Sequence, residues 1–219
     1  MSVIVAVIGV GGLGCPAALA LAESGVALRL IDEDTVERSN LHRQMLFDES
    51  DVGRAKVTAA KDALARIAPG AIVETRAEHL VPERAEALLR GVSAIVEGSD
   101  NLPTKFLSAD VARRLGVPVV HGACVAWHGT VLPVSWGDGA CYRCVFEELP
   151  EEETTNCAIA GVYGPVTSII GAIMAADALR LLRGDRTIAG NLARYDGWRQ
   201  TFRASPFPRR SDCPLCGGR

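Results

Sequence analysis

Three groups of residues in this chain have types and spacings that can do chemistry. The first is Gly9-Val10-Gly11-Gly12-Leu13-Gly14, set between an apolar run, Val3–Ile8, and a helical stretch opening at Cys15. Small residues at Gly9, Gly11, Gly12 and Gly14 let the backbone approach a phosphate. The helix N-terminus behind them offers free N–H groups and the positive end of its dipole. Asp32 ends the next apolar run, where a carboxylate suits a ribose hydroxyl pair. This set points to an adenine nucleotide without separating a dinucleotide from ATP; a bare structural turn is the alternative.

The second group is a polar block. Asp32-Glu33-Asp34 leads into Ser39-Asn40-Leu41-His42-Arg43-Gln44, and Lys56 follows on the next helix. A nicotinamide-dependent dehydrogenase has little use for such a block at this point. A phosphoryl or adenylyl transfer site does: arginine presents a fixed fork of donors to a triphosphate, and Asn or Gln orients phosphate oxygens. Asp100-Asn101 follows the short strand Ala94–Val96, at the carboxyl edge of a sheet where ligands bind. A carboxylate there can hold Mg²⁺ against phosphates. Taken singly, Arg43 and Lys56 read as solvated charges and Asp100-Asn101 as a helix cap. Together and in this order they read as a site.

The third group is the cysteines, at 15, 124, 141, 144, 157, 213 and 216. Cys141-Tyr-Arg-Cys144 and Cys213-Pro-Leu-Cys216 each set two thiolates on one tight turn. Two such pairs make a closed, tetrahedral four-cysteine site of structural zinc type, which would pin the tail onto the middle of the chain. Two redox dithiols or an iron–sulfur cluster are the alternatives. Cys15 and Cys124 sit among apolar residues and read as inert buried thiols. Cys157 ends the acidic stretch Glu147–Asn156, which reads as an exposed loop. The four histidines show no metal-ligand spacing.

Elements must position these groups. Strands are expected at Val3–Ile8, Leu28–Ile31, Ile72–Thr75, Ala94–Val96 and Pro118–His121. Helices are expected at Cys15–Ser24, Val52–Ile67, Pro82–Leu89 and Pro103–Leu115. This alternation predicts an α/β fold with a doubly wound, mostly parallel sheet. Thr130–Ser135 and the pair Ala193–Asp196 and Thr201–Arg203 predict an antiparallel extension, with a long helix over 166–183 between them. One domain over 1–219 is expected, with a nucleotide-binding half (1–135) and a zinc- and partner-binding half (136–219). With 23 Lys+Arg against 26 Asp+Glu the net charge is −3, which excludes a polybasic nucleic-acid binder. Val166–Leu182 carries Thr167, Ser168, Asp177 and Arg180 and reads as a buried helix rather than a membrane span. No secretion signal is read at the N-terminus, so a cytoplasmic protein is expected, with neither nucleic-acid nor membrane partner.

From Val3 to Gly218, these motifs in this order resemble the ThiF/MoeB/HesA family, bacterial relatives of the ubiquitin-activating enzymes. The stretch Asn156-Cys157-Ala-Ile-Ala-Gly-Val-Tyr-Gly-Pro165 and the terminal Cys213-Pro-Leu-Cys216-Gly-Gly resemble its ThiF branch. The resemblance implies a Rossmann-like fold with a zinc knot at Cys141, Cys144, Cys213 and Cys216. It implies binding of ATP, Mg²⁺ and the C-terminal Gly-Gly of a ubiquitin-like sulfur carrier protein, whose carboxylate attacks the α-phosphate to give an acyl-adenylate and pyrophosphate. Gly12 and its neighbours would face the nucleotide and Asp32 the ribose. Asn40, Arg43, Gln44 and Lys56 would surround the phosphates, with Asp34, Ser39 and Asn101 completing the binding set. Asp100 would bind Mg²⁺. The family's arginine in the Ser-Asn-Leu-x-Arg-Gln block comes from the neighbouring subunit, which implies a homodimer. A cysteine at the place of Cys157 takes the activated carrier as a thioester or acyl disulfide.

Family members carry an N-terminal helical segment with a further arginine before the first strand, whereas here that strand starts at Val3. There is also no C-terminal rhodanese domain, so a separate sulfur donor protein is expected. Thiamine-type and molybdopterin-type carriers both fit the resemblance. Other readings are a catalytically impaired binding relative, activation of a peptide or a tRNA base adduct, and an NAD-type oxidoreductase. The last leaves Arg43, Lys56, Asp100 and the cysteine pairs without a role.

Overall fold

The computed structural model describes residues 3–148 and 161–217. In chain order the elements are β1 (Ile4–Ile8), α1 (Gly14–Glu23), β2 (Ala27–Ile31), α2 (Lys56–Ile67), β3 (Val73–Arg76), α3 (Pro82–Leu89) and β4 (Ala94–Glu97). Then come α4 (Leu102–Leu115), β5 (Val119–Val125), β6 (His128–Val134), α5 (Tyr142–Val145), α6 (Gly164–Leu182), β7 (Asn191–Asp196) and β8 (Thr201–Pro206). The strands form one sheet in the order β3-β2-β1-β4-β5-β6-β7-β8. The first five are parallel and β6, β7 and β8 run antiparallel, as the alternation in the sequence predicts.

The strand residues explain the layering. In β1 the side chains alternate between faces. Val5 and Val7 join a core built with α1, α2 and α6, through Leu21, Leu64 and Met174. Ala6 and Ile8 join the opposite core with α3 and α4, through Leu89 and Phe106. A strand buried on both faces needs apolar residues at every position, and Ile-Val-Ala-Val-Ile supplies them. Helix α6 is long and apolar enough to cross a membrane by length and composition. Here Val166, Ile170, Met174 and Leu181 pack it into the core with α1.

Helix ends follow local chemistry. Asn101 caps α4 by accepting from Thr104 N at 2.9 Å, and Gly116, at φ +68°, ends it in the left-handed conformation. Helix α2 begins at Lys56, not Val52. Residues 49–51 form a short 3-10 turn, and Lys56 N donates to Asp34 O at 2.9 Å. Strand β5 runs to Val125 because β6 pairs with it over seven positions. The single turn α5 carries the first cysteine pair. Of the predicted loop Glu147–Asn156 only Glu147 and Glu148 are among the described residues, and Cys157 lies outside them.

The turn from β1 into α1 leaves no room for a side chain at its end. A Cβ on Gly14 would lie 1.9 Å from the Gly9 carbonyl oxygen. Gly14→Ala is therefore expected to cost about 3 kcal/mol, a fall of about 10 °C in melting temperature. An unchanged melting temperature would contradict this packing.

Candidate functional site

The strand order reverses between β1 and β4, so the loops leaving their carboxyl ends diverge and open a crevice, as doubly wound sheets require. The cavity there measures about 1180 Å³. Its floor is the glycine turn. Gly9, at φ +79°, donates its N–H to Ile31 O at 2.9 Å. Asp32 staples the turn to β2: Oδ2 accepts from Val10 N at 2.6 Å and Oδ1 from Asp34 N at 2.9 Å. Burial raises the Asp32 carboxyl above its ordinary value, against the lowering by Lys56 and those backbone donors. Each oxygen keeps a further lone pair for a ligand.

The polar block wraps one side of the cavity. Lys56 is buried, and its Nζ lies 2.7 Å from Oδ2 of the exposed Asp34. It is thus not a solvated surface charge, because starting α2 at this residue turns it inward. Arg43 donates to Asn40 Oδ1 at 2.6 Å and to Ser39 O at 3.4 Å, and its stem lies over Gly12. Gln44 is buried, and its Oε1 has no hydrogen-bond partner among the described residues. A buried amide oxygen left unpaired is costly and asks for a ligand or water.

Within this chain Arg43 lines the cavity, because the turn at 38–44 folds it back onto Gly12. One expectation needs correction: Ser39 does not line the cavity. Its hydroxyl bonds Glu37 at 3.2 Å, and only its carbonyl faces Arg43.

The opposite side is the loop after β4. Asp100 is exposed at the cavity, and its carboxylate makes no hydrogen bond or ion pair among the described residues. That free oxygen pair could ligate a divalent cation shared with phosphates bound at Arg43 and Lys56. Asn101 lines the cavity too, but its side-chain oxygen is spent capping α4. Beneath this loop lies a pair that the sequence reading missed. Glu97 is fully buried, and Lys105 Nζ reaches its Oε2 at 2.6 Å and Gly122 O at 2.6 Å. Burial pushes the Glu97 carboxyl up; Lys105 and His121 overcome this and lower it to about 2. An acid closing the apolar run Ala94–Val96 and a lysine on a helix were the only signals.

The four paired cysteines come together on the other face of the sheet. Cys141 Sγ lies 3.8 Å from Cys144 Sγ and 3.6 Å from Cys213 Sγ, and Cys144 Sγ lies 3.4 Å from Cys216 Sγ. All four are buried and within 4.8 Å of one another. Tetrahedral metal–sulfur bonds of about 2.3 Å place sulfurs about 3.8 Å apart, so the cluster fits a closed zinc site. A disulfide needs about 2.05 Å. Without a cation, burial raises the Cys141 thiol and pushes Cys216 up to about 11. Cys15 and Cys124 are buried, as expected, although Cys124 reaches the cavity wall.

The profile of the ThiF family matches residues 2–215. The SAMP-activating enzyme E1 of Haloferax volcanii is 39% identical over 219 residues, covering 97% of this chain and 80% of that protein. The sulfur carrier protein adenylyltransferase of Thermus thermophilus is 39% identical over 221 residues, covering 97% and 82%. For other relatives the chain spans about half of their length, at 48%. Among solved structures, E. coli MccB with ATP superposes with a TM-score of 0.85 at 22% identity, covering 99% of this chain and 67% of that one.

Proposed function

The chain belongs to the ThiF family, and on that premise we propose that it is an ATP-dependent adenylyltransferase acting on the C-terminal Gly-Gly carboxylate of a ubiquitin-like sulfur carrier. One observation carries the reading. Lys56, Arg43, Gln44 with its unpaired oxygen, and Asp100 with its free carboxylate all line one cavity around the glycine turn. A nicotinamide cofactor would leave these groups idle, whereas a triphosphate with a divalent cation engages all of them.

The chemistry follows from charge. A carboxylate oxygen of the carrier attacks the α-phosphorus, the bond to the β,γ-phosphates breaks, and acyl-adenylate and pyrophosphate result. Nucleophile and triphosphate are both anionic, so donors fixed where charge develops lower the barrier. Arg43 and Lys56 are those donors in this reading. Lys56 would exchange its bond to the exposed Asp34 for a phosphate oxygen. Asp32 would hold the ribose and Asp100 the Mg²⁺, which would neutralise phosphate charge. Zinc held by Cys141, Cys144, Cys213 and Cys216 would be structural, since four thiolates leave no open position. Cys157 is the nucleophile that captures the activated carrier as a thioester, its thiolate displacing AMP from the acyl carbon. A thiamine-type or related carrier is proposed. Pro165, Ile169, Ala172 and Ala176 lie exposed along one face of α6 and support a homodimer. Buried thiols with no disulfide among the described residues support a cytoplasmic setting.

ATP–pyrophosphate exchange with Mg²⁺ and purified carriers tests the proposal. Exchange is expected only with a carrier ending in Gly-Gly, and not after its last two residues are removed. Mg²⁺·ATP binding without exchange on any carrier would favour a binding relative.

A further inference from the structure

An acid and a lysine have been buried together where an apolar pair of the same volume would be at least as stable. Glu97 and Lys105 are almost wholly inaccessible, with Lys105 alone of the two reaching the cavity wall. Their reach explains their placement. Glu97 Oε1 accepts from Ser99 N at 2.9 Å and also from Ser99 Oγ. Lys105 fixes the other carboxylate oxygen and ties it to Gly122 O on β5. His121 Nδ1 lies 3.5 Å from the same oxygen. The turn is closed from the far side by Gly98 N on Ile8 O at 2.9 Å, and by the close approach of Gly9 to Ser99. Asp100 is the next residue, with nothing of its own side chain holding it among the described residues.

We infer that the buried Glu97–Lys105 pair is a positioning device that holds the Ser99–Asp100 turn so that the Asp100 carboxylate is preset for Mg²⁺. This rests on the adenylation reading for the identity of the cation, while the tether itself does not. Preorganisation costs stability in the fold and returns it as cation affinity.

Two readouts test it on the full chain. In Glu97→Leu/Lys105→Met the volume is kept and no buried charge is left unpaired, so the variant is expected to fold. Losing hydrogen bonds to a charged acceptor should speed amide exchange of residues 98–101 about tenfold, with no nucleotide or metal present. In calorimetry, the Mg²⁺ concentration giving half-maximal ATP binding should rise by a similar factor. Lys105→Arg keeps the charge pair and should behave as wild type. Should the double variant not fold, Ser99→Ala removes one donor and is expected to raise the Mg²⁺ midpoint about threefold.

Unchanged exchange in residues 98–101 would show that the pair does not hold the turn. Faster exchange with an unchanged Mg²⁺ midpoint would show that the turn does not preset Asp100. Either result overturns the inference. Wild-type protein showing no Mg²⁺-dependent ATP binding would instead overturn the adenylation reading, leaving the exchange measurement to judge the tether.

Discussion

Asp100→Ala should lower carrier-dependent ATP–pyrophosphate exchange by about 10³-fold, the upper range for removing one preorganised electrostatic contact to a transition state. The melting temperature should not move. Asp100 is exposed and its carboxylate bonds nothing among the described residues, so the fold loses no interaction with it. Surface changes of this kind stay within about 0.5 kcal/mol. The turn around it survives because Glu97, Ile8 and Asn101 hold its neighbours. The loss should therefore fall on the Mg²⁺-dependent part of the reaction. ATP binding in chelator should persist, since Arg43, Lys56 and the glycine turn are untouched. Asp100→Asn should be nearly as inactive, because a neutral amide keeps the shape and removes the charge. Near-wild-type exchange in either variant would remove Asp100 from the chemistry and leave the cavity without its proposed cation ligand.

Much of this arrangement was legible in the residues, and the illegible parts have physical causes. Val3–Ile8 and Leu28–Ile31 are apolar at nearly every position, which a strand buried on both faces requires. The glycine turn and Asp32 were legible because each is a local device: a tight turn, and an acid two residues from the backbone N–H of Asp34. The start of α2 was not. Val52 and Ala55 continue the apolar spacing of the helix, but a backbone bond from Lys56 to Asp34 fixes the start, and no periodicity reports a bond 22 residues away. Glu97 and Lys105 were illegible for the same reason. Each reads alone as the polar end of an element, and only the packing of α4 on β4 and β5 makes them a buried pair. For Arg43 the motif specifies the residue type, while the turn at 38–44 and the bond to Asn40 set where its side chain lies within the chain.

Removing the metal expected at the cysteine cluster should have the largest effect on stability. Purified protein should carry about one zinc per chain. Exhaustive chelation, or Cys144→Ser, should cost at least about 5 kcal/mol, a large part of the margin by which domains of this size are stable. The reason is where the thiols sit. All four are buried in the core beneath α4 with Phe106, Tyr142 and Leu132, and the tail from Phe207 reaches them as a stretch without regular structure. Apart from the cluster it is held by the packing of Phe207 and Leu215 on that core, by Phe207 N on Gly190 O at 2.9 Å, and by Arg210 at Glu147. The exposed ion pair is worth little. Without a cation the cluster opposes burial, since its thiols must give up their charge or repel one another. Cys15→Ser is the control. Cys15 is equally buried but holds no partner cysteine, and losing one buried thiol should cost only about 1 kcal/mol. Cobalt substitution supplies a second readout, giving the intense visible bands of a tetrahedral thiolate site in the wild type and none in Cys144→Ser. Protein that arrives zinc-free and melts unchanged after chelation would sink the structural-zinc assignment, and a brown iron-containing preparation would replace it with a cluster of iron and sulfide.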